Sequence, residues 1–444
     1  MCTKTVALLA ASLVALAGGA RADVSISNKP TQNMDCQAGV CTAMAKKAVL
    51  NVGDLQTMLA SGDVAVKTGN TANDININQP VTWSSTSRLT LDAQRSVIVN
   101  KPMTVTGTGA LSIITNDGGE NGQFIIARKA SVQFWDLASS LIIGGNSYTL
   151  VADLKTLAAD IAANASGSYA LAKPYDASVD GTYLSPPIGT QLDGTFEGLG
   201  NAISGLTVSA NGASAGLLNK VGASGGLRDV LVTKASVSNG PDSDHSLNGI
   251  MAAENDGIIA NGYATGTLTL LKVGVLSFAG GLVGKDTGVI SDSSSNVSIQ
   301  GRGIYAGGVV GFLDGSIGGP ALVERSSSAG NIKVQGGTSV GGLVSDNSSG
   351  TISLSHASND IETGNDSTAG GLVGGGNGVV DGCYATGSVK VGDGSRHGGA
   401  TAGGLLGSNN GVVTNSYATG NVSGGKLAYV GGFVGRNNPG NISA

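Results

Sequence analysis

The sequence predicts an all-β fold, a right-handed parallel β-helix with a short N-terminal capping helix and one inserted side helix. Three observations carry this. First, an opening of two glycines and two apolar residues recurs, with its second glycine at positions 281, 308, 342, 371, 404 and 432 and weaker, single-glycine copies at Gly216 and Gly249. The steps lie between 27 and 34 residues, the range of stacked units that are each too small to bury a core alone. Second, glycine supplies 73 of the 444 residues, and an interior glycine costs a helix about 1 kcal/mol. Third, short β-branched pulses alternate with Gly, Asn, Ser and Asp, the pattern of strands and turns.

One copy, residues 402–422, shows the unit. Its pulses are Leu405-Leu406, Val412-Val413 and the stretch from Tyr417 to Val422. Three strands in one copy predict a three-sided coil whose successive turns pair in parallel, and parallel crossovers are right-handed. Aligning the copies gives columns. Leu217, Ile250, Leu282, Val309, Leu343, Leu372, Leu405 and Phe433 share one position, the expected repeat core. Leu218, Met251, Val283, Val310, Val344, Val373, Leu406 and Val434 share the next. Neighbours in a strand face opposite ways, so two adjacent apolar columns need either a corner between them or one outward face. The sequence leaves both open.

From the start of the chain, residues 1–22 read as a secretory signal peptide. Lys4 supplies the positive charge, residues 6–17 the apolar run, and Ala20-Arg21-Ala22 the cleavage site. The chain is therefore expected to be secreted or displayed on the outer cell surface, beginning at Asp23. No later stretch is apolar for long enough to span a bilayer as a helix. Residues 23–70 form the expected N-terminal cap, with a helix capped by Asp54 that carries Leu55, Met58 and Leu59, then a strand from Val64. Cys36 and Cys41 are close enough to form a small disulfide loop in an oxidising compartment. Residues 71–149 continue as β-helix rungs without the glycine pairs. Residues 150–190 break the pattern: Leu150, Leu154, Leu157 and Ile161 mark one helical face, expected to dock on the side of the solenoid, and a proline-bearing connector follows. Residues 191–444 hold the glycine repeats.

Composition bounds function. Charged residues are 12% of the chain, against about 25% in typical domains, and the net charge of −5 lacks the basic face of a nucleic-acid binder. Gly-x-Ser-x-Gly occurs around Ser214 and Ser224, but without the strand-to-helix setting of a nucleophile elbow. The histidines are His245, His356 and His397, and no zinc-peptidase motif includes them. His356 falls in the column of Tyr384 and Tyr417, and Cys383 in that of Ser416, so both read as repeat variants. Asp286, Asp292, Asp314 and Asp346 sit near turns and are expected to be solvated. No catalytic, cofactor or metal residue is assigned.

The Gly-Gly-Leu-Val-Gly openings, with the closings Tyr263 to Gly266, Tyr384 to Gly387 and Tyr417 to Gly420, resemble the GLUG motif of bacterial surface proteins. Residues 196–208 resemble the segment that precedes those repeats, and residues 74–102 resemble filamentous-haemagglutinin-type proteins. The resemblance covers most of the chain after residue 22 and implies export and an adhesin-like, non-enzymatic role, binding a surface glycan or protein on a host or abiotic surface. The alternatives are a β-helical polysaccharide-cleaving enzyme and the non-catalytic repeat region of a larger secreted peptidase. The chain departs from the family in lacking an Asn-Pro-Asn secretion signature and a C-terminal barrel strand. The last copy, opening at Gly431, has no evident cap, which predicts either a longer protein or self-association through the C-terminal coil.

Overall fold

The computed structural model describes residues 23–240, 245–270, 276–336, 338–395 and 399–443. The expected leader, residues 1–22, lies outside them. The described chain is a parallel β-solenoid of about 13 turns with two separate hydrophobic cores.

The first core begins at the first described residue. Asp23–Ser27 pairs in parallel with both Lys47–Asn51 and Asp74–Ile77, so it is a rung in its own right. The helix α1, Val52–Ser61, buries Leu55 and Leu59 in this core. Its N-cap is Asn51 rather than the expected Asp54. Asn51 is extended, and its side-chain oxygen accepts from the amides of Gly53 and Asp54 at 2.8 and 3.3 Å. Asp54 sits in the first turn, where a carboxylate favours the helix dipole.

The second core runs from Val151 to Val413, with partly buried residues of the last coil packed on it. The turns here have four sides rather than three, as in Val289–Ser291, Ser294–Arg302, Tyr305–Gly307 and Val310–Asp314, and from Leu322 onward the long second side is split into two strands. The fourth arises because the glycine-pair opening is split by a corner. Tyr305–Gly307 ends on one glycine, Gly308 and Val309 turn, and Val310 begins the next strand. Both apolar columns therefore point inward: Leu282, Val283, Val309, Val310, Leu343 and Val344 have no exposed surface.

The two cores lie on opposite faces of one continuous sheet. At Gly144-Gly145 (φ 57° and 83°) the chain makes a hairpin, and Leu141 pairs antiparallel with Tyr148. From Asn146–Val151 onward the sheet is parallel again, through Ser168–Leu171 and Thr195–Glu197 to Asn441–Ser443. Leu141, Tyr148, Leu150 and Ala170 face the first core, whereas Val151, Tyr169, Leu171 and Phe196 face the second. Strand direction and core side reverse together, so the hand of coiling is the same in both solenoids. The sheet is an open ladder. Its end strands, Met34–Gln37 and Asn441–Ser443, each pair with one neighbour among the described residues.

The predicted second helix is α2, Leu154–Ala163, capped by Asp153, whose carboxylate accepts from the Thr156 amide at 2.7 Å. Leu150 belongs to the preceding strand. Leu154, Leu157 and Ile161 are buried in the second core. The helix thus occupies the first turn of the second solenoid, between the paired strands Asn146–Val151 and Ser168–Leu171, and is not appended to a side wall.

Candidate functional site

Where the two solenoids meet there is a cleft of about 410 Å³, open to solvent, lined by Arg128 from the first and by Gly200, Asp229, Asn261, Tyr263 and Asp292 from the second. The backbone explains the acids and amides here. Asp229, Asn261 and Asp292 occupy one corner in successive turns, each left-handed (φ 51°, 53° and 50°). Among residues with a Cβ, Asn and Asp tolerate that region best.

The polar groups of the cleft hold one another. Asn261 Nδ2 donates to Asp229 Oδ1 and, at 3.1 Å, to the Ile126 carbonyl of the first solenoid. The Arg128 guanidinium lies 4.2 Å above the Tyr263 ring, and its Nη2 donates to Ser294 Oγ at 2.9 Å. Asp292 receives two bonds from Arg325, both 2.9 Å. Glu197 and Asp229 are almost fully buried. Burial and the adjacent Asp229 push the Glu197 carboxyl well above its ordinary range, and burial raises Asp229 to about 6. A cluster of carboxyl groups at a cleft is the arrangement the polysaccharide-cleaving alternative needs. Here, however, Asp229 and Asp292 are already held by side-chain bonds from Asn261 and Arg325. Sequence reasoning missed Glu197 and Asp229. The signal was the spacing of Asp229, Asn261 and Asp292, which follows the repeat step and marks them as stacked.

The four expected turn carboxylates separate. Asp292 is exposed at its corner, with its side chain 52% accessible. Asp314 is buried rather than solvated and pairs with Lys285 at 3.4 Å, and burial raises Asp346 to about 6. Asp286 is not solvated: it is fully buried in a column that includes Asn255, Asn347, Asn409 and Asn437. In this column asparagine oxygens accept corner amides, as in Gly257 N to Asn255 Oδ1 at 3.2 Å and Gly411 N to Asn409 Oδ1 at 3.1 Å. Asn255 Nδ2 donates to Asp286 Oδ1 at 2.6 Å, while Asp286 Oδ2 has no hydrogen-bond partner. Burial pushes this carboxyl up to about 7. An acid raised by folding contributes stability present below its ordinary value and lost as pH rises toward the raised one. Asp286→Asn should therefore raise the thermal midpoint at about pH 8, by the equivalent of a few kcal/mol at most, and change little at about pH 4. Melts of both proteins across that range test this; equal midpoints at the higher pH would refute it.

The other singled-out residues are placed as follows. Cys36 and Cys41 face each other across an antiparallel hairpin and form a disulfide. Cys383 is buried, its thiol raised to about 11 chiefly by burial. It continues a column in which side chains receive amides from the turn before: Ser293 N donates to Ser326 Oγ at 3.2 Å, and Cys383 N to Ser416 Oγ at 3.0 Å. His356, Tyr384 and Tyr417 stack in register on the outer face, with centroids 4.6 and 5.1 Å apart. His397 lies outside the described residues. Ser214 is in the strand Ser214–Ala215, and neither it nor Ser224 precedes a helix. Of the expected repeat core, Leu282, Val309, Leu343, Leu372 and Leu405 have no exposed surface, whereas Phe433, in the last coil, is only half-buried. Among the described residues no three His, Cys, Asp or Glu side chains are grouped as metal ligands, and no helix is long and apolar enough to cross a membrane.

A 15-stranded sheet runs along the second solenoid. Its outward positions form rows of small hydroxyl and amide residues. Thr207, Ser236, Thr267 and Ser298 are paired rung to rung, as are Ser209, Ser238, Thr269 and Gln300. The second row then becomes charged, as Lys333, Glu362 and Lys390 alternate with salt bridges of 2.9 and 3.4 Å.

No family model matches the chain. It is similar to halomucin of Haloquadratum walsbyi (strain DSM 16790 / HBSQ001), with 31% identity over 245 aligned positions that take in 46% of this chain but span only 3% of that relative's length.

Proposed function

We propose that this chain is an exported, adhesin-like surface protein of the GLUG-repeat type, which binds extended hydroxyl-rich partners along its broad sheet and does no chemistry. The observation that carries this reading is the uncharged grid of Thr207, Ser209, Ser236, Ser238, Thr267, Thr269, Ser298 and Gln300 on one sheet face. Rungs about 4.8 Å apart present a regular series of donors and acceptors to a neutral chain such as a glycan. Stacked repeats offer long walls suited to such partners. The partial similarity to a protein named as a mucin, and the apolar leader in the sequence, support a place outside the cell.

Purified protein starting at Asp23 should bind polysaccharide beads without releasing reducing ends. Thr267→Glu puts a charge at an exposed position between Ser236 and Ser298. It should weaken binding by at least about tenfold, or 1.4 kcal/mol, without shifting the melting midpoint. Failure to bind any polysaccharide, or binding indifferent to this change, would remove the wall from the argument. Hydrolysis would favour the enzymatic alternative.

A further inference from the structure

Two carboxyl groups lie in contact at the junction, shielded from water. Glu197 is 2% and Asp229 5% exposed, and their carboxyls lie within hydrogen-bonding reach of each other. Each is one further bond from a residue that grips the last turn of the first solenoid. Leu199 N donates to Glu197 Oε1 at 3.2 Å, while the Leu199 carbonyl accepts from Val132 N at 2.9 Å. Asn261 Nδ2 donates to Asp229 Oδ1 and also to the Ile126 carbonyl. Beside them, Asn201 Nδ2 donates to the Val132 and Leu171 carbonyls, both at 2.9 Å.

We propose that the Glu197–Asp229 pair is a proton-held latch between the two solenoids, closed while a proton bridges the carboxyls and loosened when that proton leaves. With one proton present, Glu197 donates to the Asp229 carboxylate and the pair carries a single charge. Arg228 beside the pair and the Asn261 amide offset that charge. With none, two like charges meet in a site with little access to water, which buried carboxyl pairs do not sustain. Separating them moves Leu199 and Asn261, the residues that hold Val132 and Ile126. The other titratable or charged groups around the pair are Tyr148, two strands away in the same sheet, and Arg128, Tyr263 and Asp292 lining the cleft.

The sign follows from the raised pKa values. Both acids bind protons more tightly folded than unfolded, so the junction's stability is complete below the ordinary carboxyl range. It is lost as pH rises through about 6 for Asp229 and through the raised range of Glu197. The pair titrates as a unit, and its last proton leaves in the upper step.

Hydrogen exchange on the full chain, corrected for the intrinsic pH dependence of exchange, reads the latch directly. From about pH 5 to about pH 9, protection across residues 124–134 should fall at least about tenfold while Val64–Lys67 holds steady. Glu197→Gln keeps a donor for Asp229 but has no proton to lose, and should sharply reduce the fall, leaving only the titration of Asp229 itself. Constant protection in the wild type, or the same fall in Glu197→Gln, would overturn the proposal. Should Glu197→Gln fail to fold, Asp229→Asn leaves a single acid without a like-charged neighbour. It should likewise diminish the fall, and an undiminished fall would again overturn the latch.

Discussion

Leu372→Asp should unfold the centre of the second solenoid. Leu372 has no exposed surface and stands in the inner column between Leu343 and Leu405. Its amide donates to the Leu405 carbonyl and its carbonyl accepts from the Leu343 amide, both at 2.8 Å. A carboxylate here would meet apolar neighbours above and below, and burying an unpaired polar group or charge costs several kcal/mol. The expected loss exceeds the roughly 2–5 kcal/mol of a Leu→Ala cavity at a buried site. Because each turn contacts only its neighbours, the damage should be local. Urea denaturation should show a destabilised segment around residues 343–405, with the first solenoid unfolding at its wild-type midpoint. Protonation should restore part of the loss, so the defect is expected to be smaller at about pH 3 than at pH 7. A wild-type midpoint at neutral pH would contradict the inward placement of the whole column.

Gly371→Val should be nearly as damaging, for a different reason. A Cβ at Gly371 would sit closer to the Gly404 carbonyl oxygen of the next turn than real Cβ atoms come, with the Ala385 Cβ 2.9 Å away. The same clash recurs at each corner: Gly281 meets Gly308 O, Gly308 meets Gly342 O, and Gly342 meets Gly371 O. The obstacle is backbone, which can yield only by spreading two turns and lengthening their hydrogen bonds. The cost should reach the upper end of the roughly 1–3 kcal/mol for overpacking, or exceed it. Gly189→Ala is the control, since a Cβ there meets nothing within 4 Å, and it should leave the midpoint unchanged. Equal stability of Gly371→Val and Gly189→Ala would remove the steric account of the glycine pair.

These corners show what could be read in advance. The repeat step placed Leu282, Leu343, Leu372 and their companions in one column because backbone pairing forces turns into register. It did not show that the chain bends between Gly308 and Val310, since a bend leaves no mark beyond glycines that could equally be turns. The reversal at Gly144-Gly145 was hidden likewise, because a hairpin and a solenoid corner use the same residues. The helices were legible from Leu55 and Leu59 and from Leu154, Leu157 and Ile161. The cap moved to Asn51 because cap choice depends on a backbone bend that a local pattern does not specify. Glu197 and Asp229 were invisible as a pair. Glu197 stands in register with Arg228, not Asp229, so their contact depends on a corner conformation, and burial rather than residue type makes them unusual.

The hairpin at Gly144-Gly145 has a mechanical consequence. In a solenoid the backbone hydrogen bonds run along the long axis, so tension between the ends loads them directly. Within the second solenoid that tension is shared at each level by the four strand ladders of a turn. At the reversal a single short ladder, Leu141 to Ile143 against Asn146 to Tyr148, crosses from one solenoid to the other. Beyond it, among the described residues, the junction has isolated backbone bonds such as Val132 N to Leu199 O and Phe134 N to Ala172 O, and the packing of a few side chains such as Ala170 and Leu199 in the first core. A pulled molecule should part there first, separating into two intact rods before either one unravels.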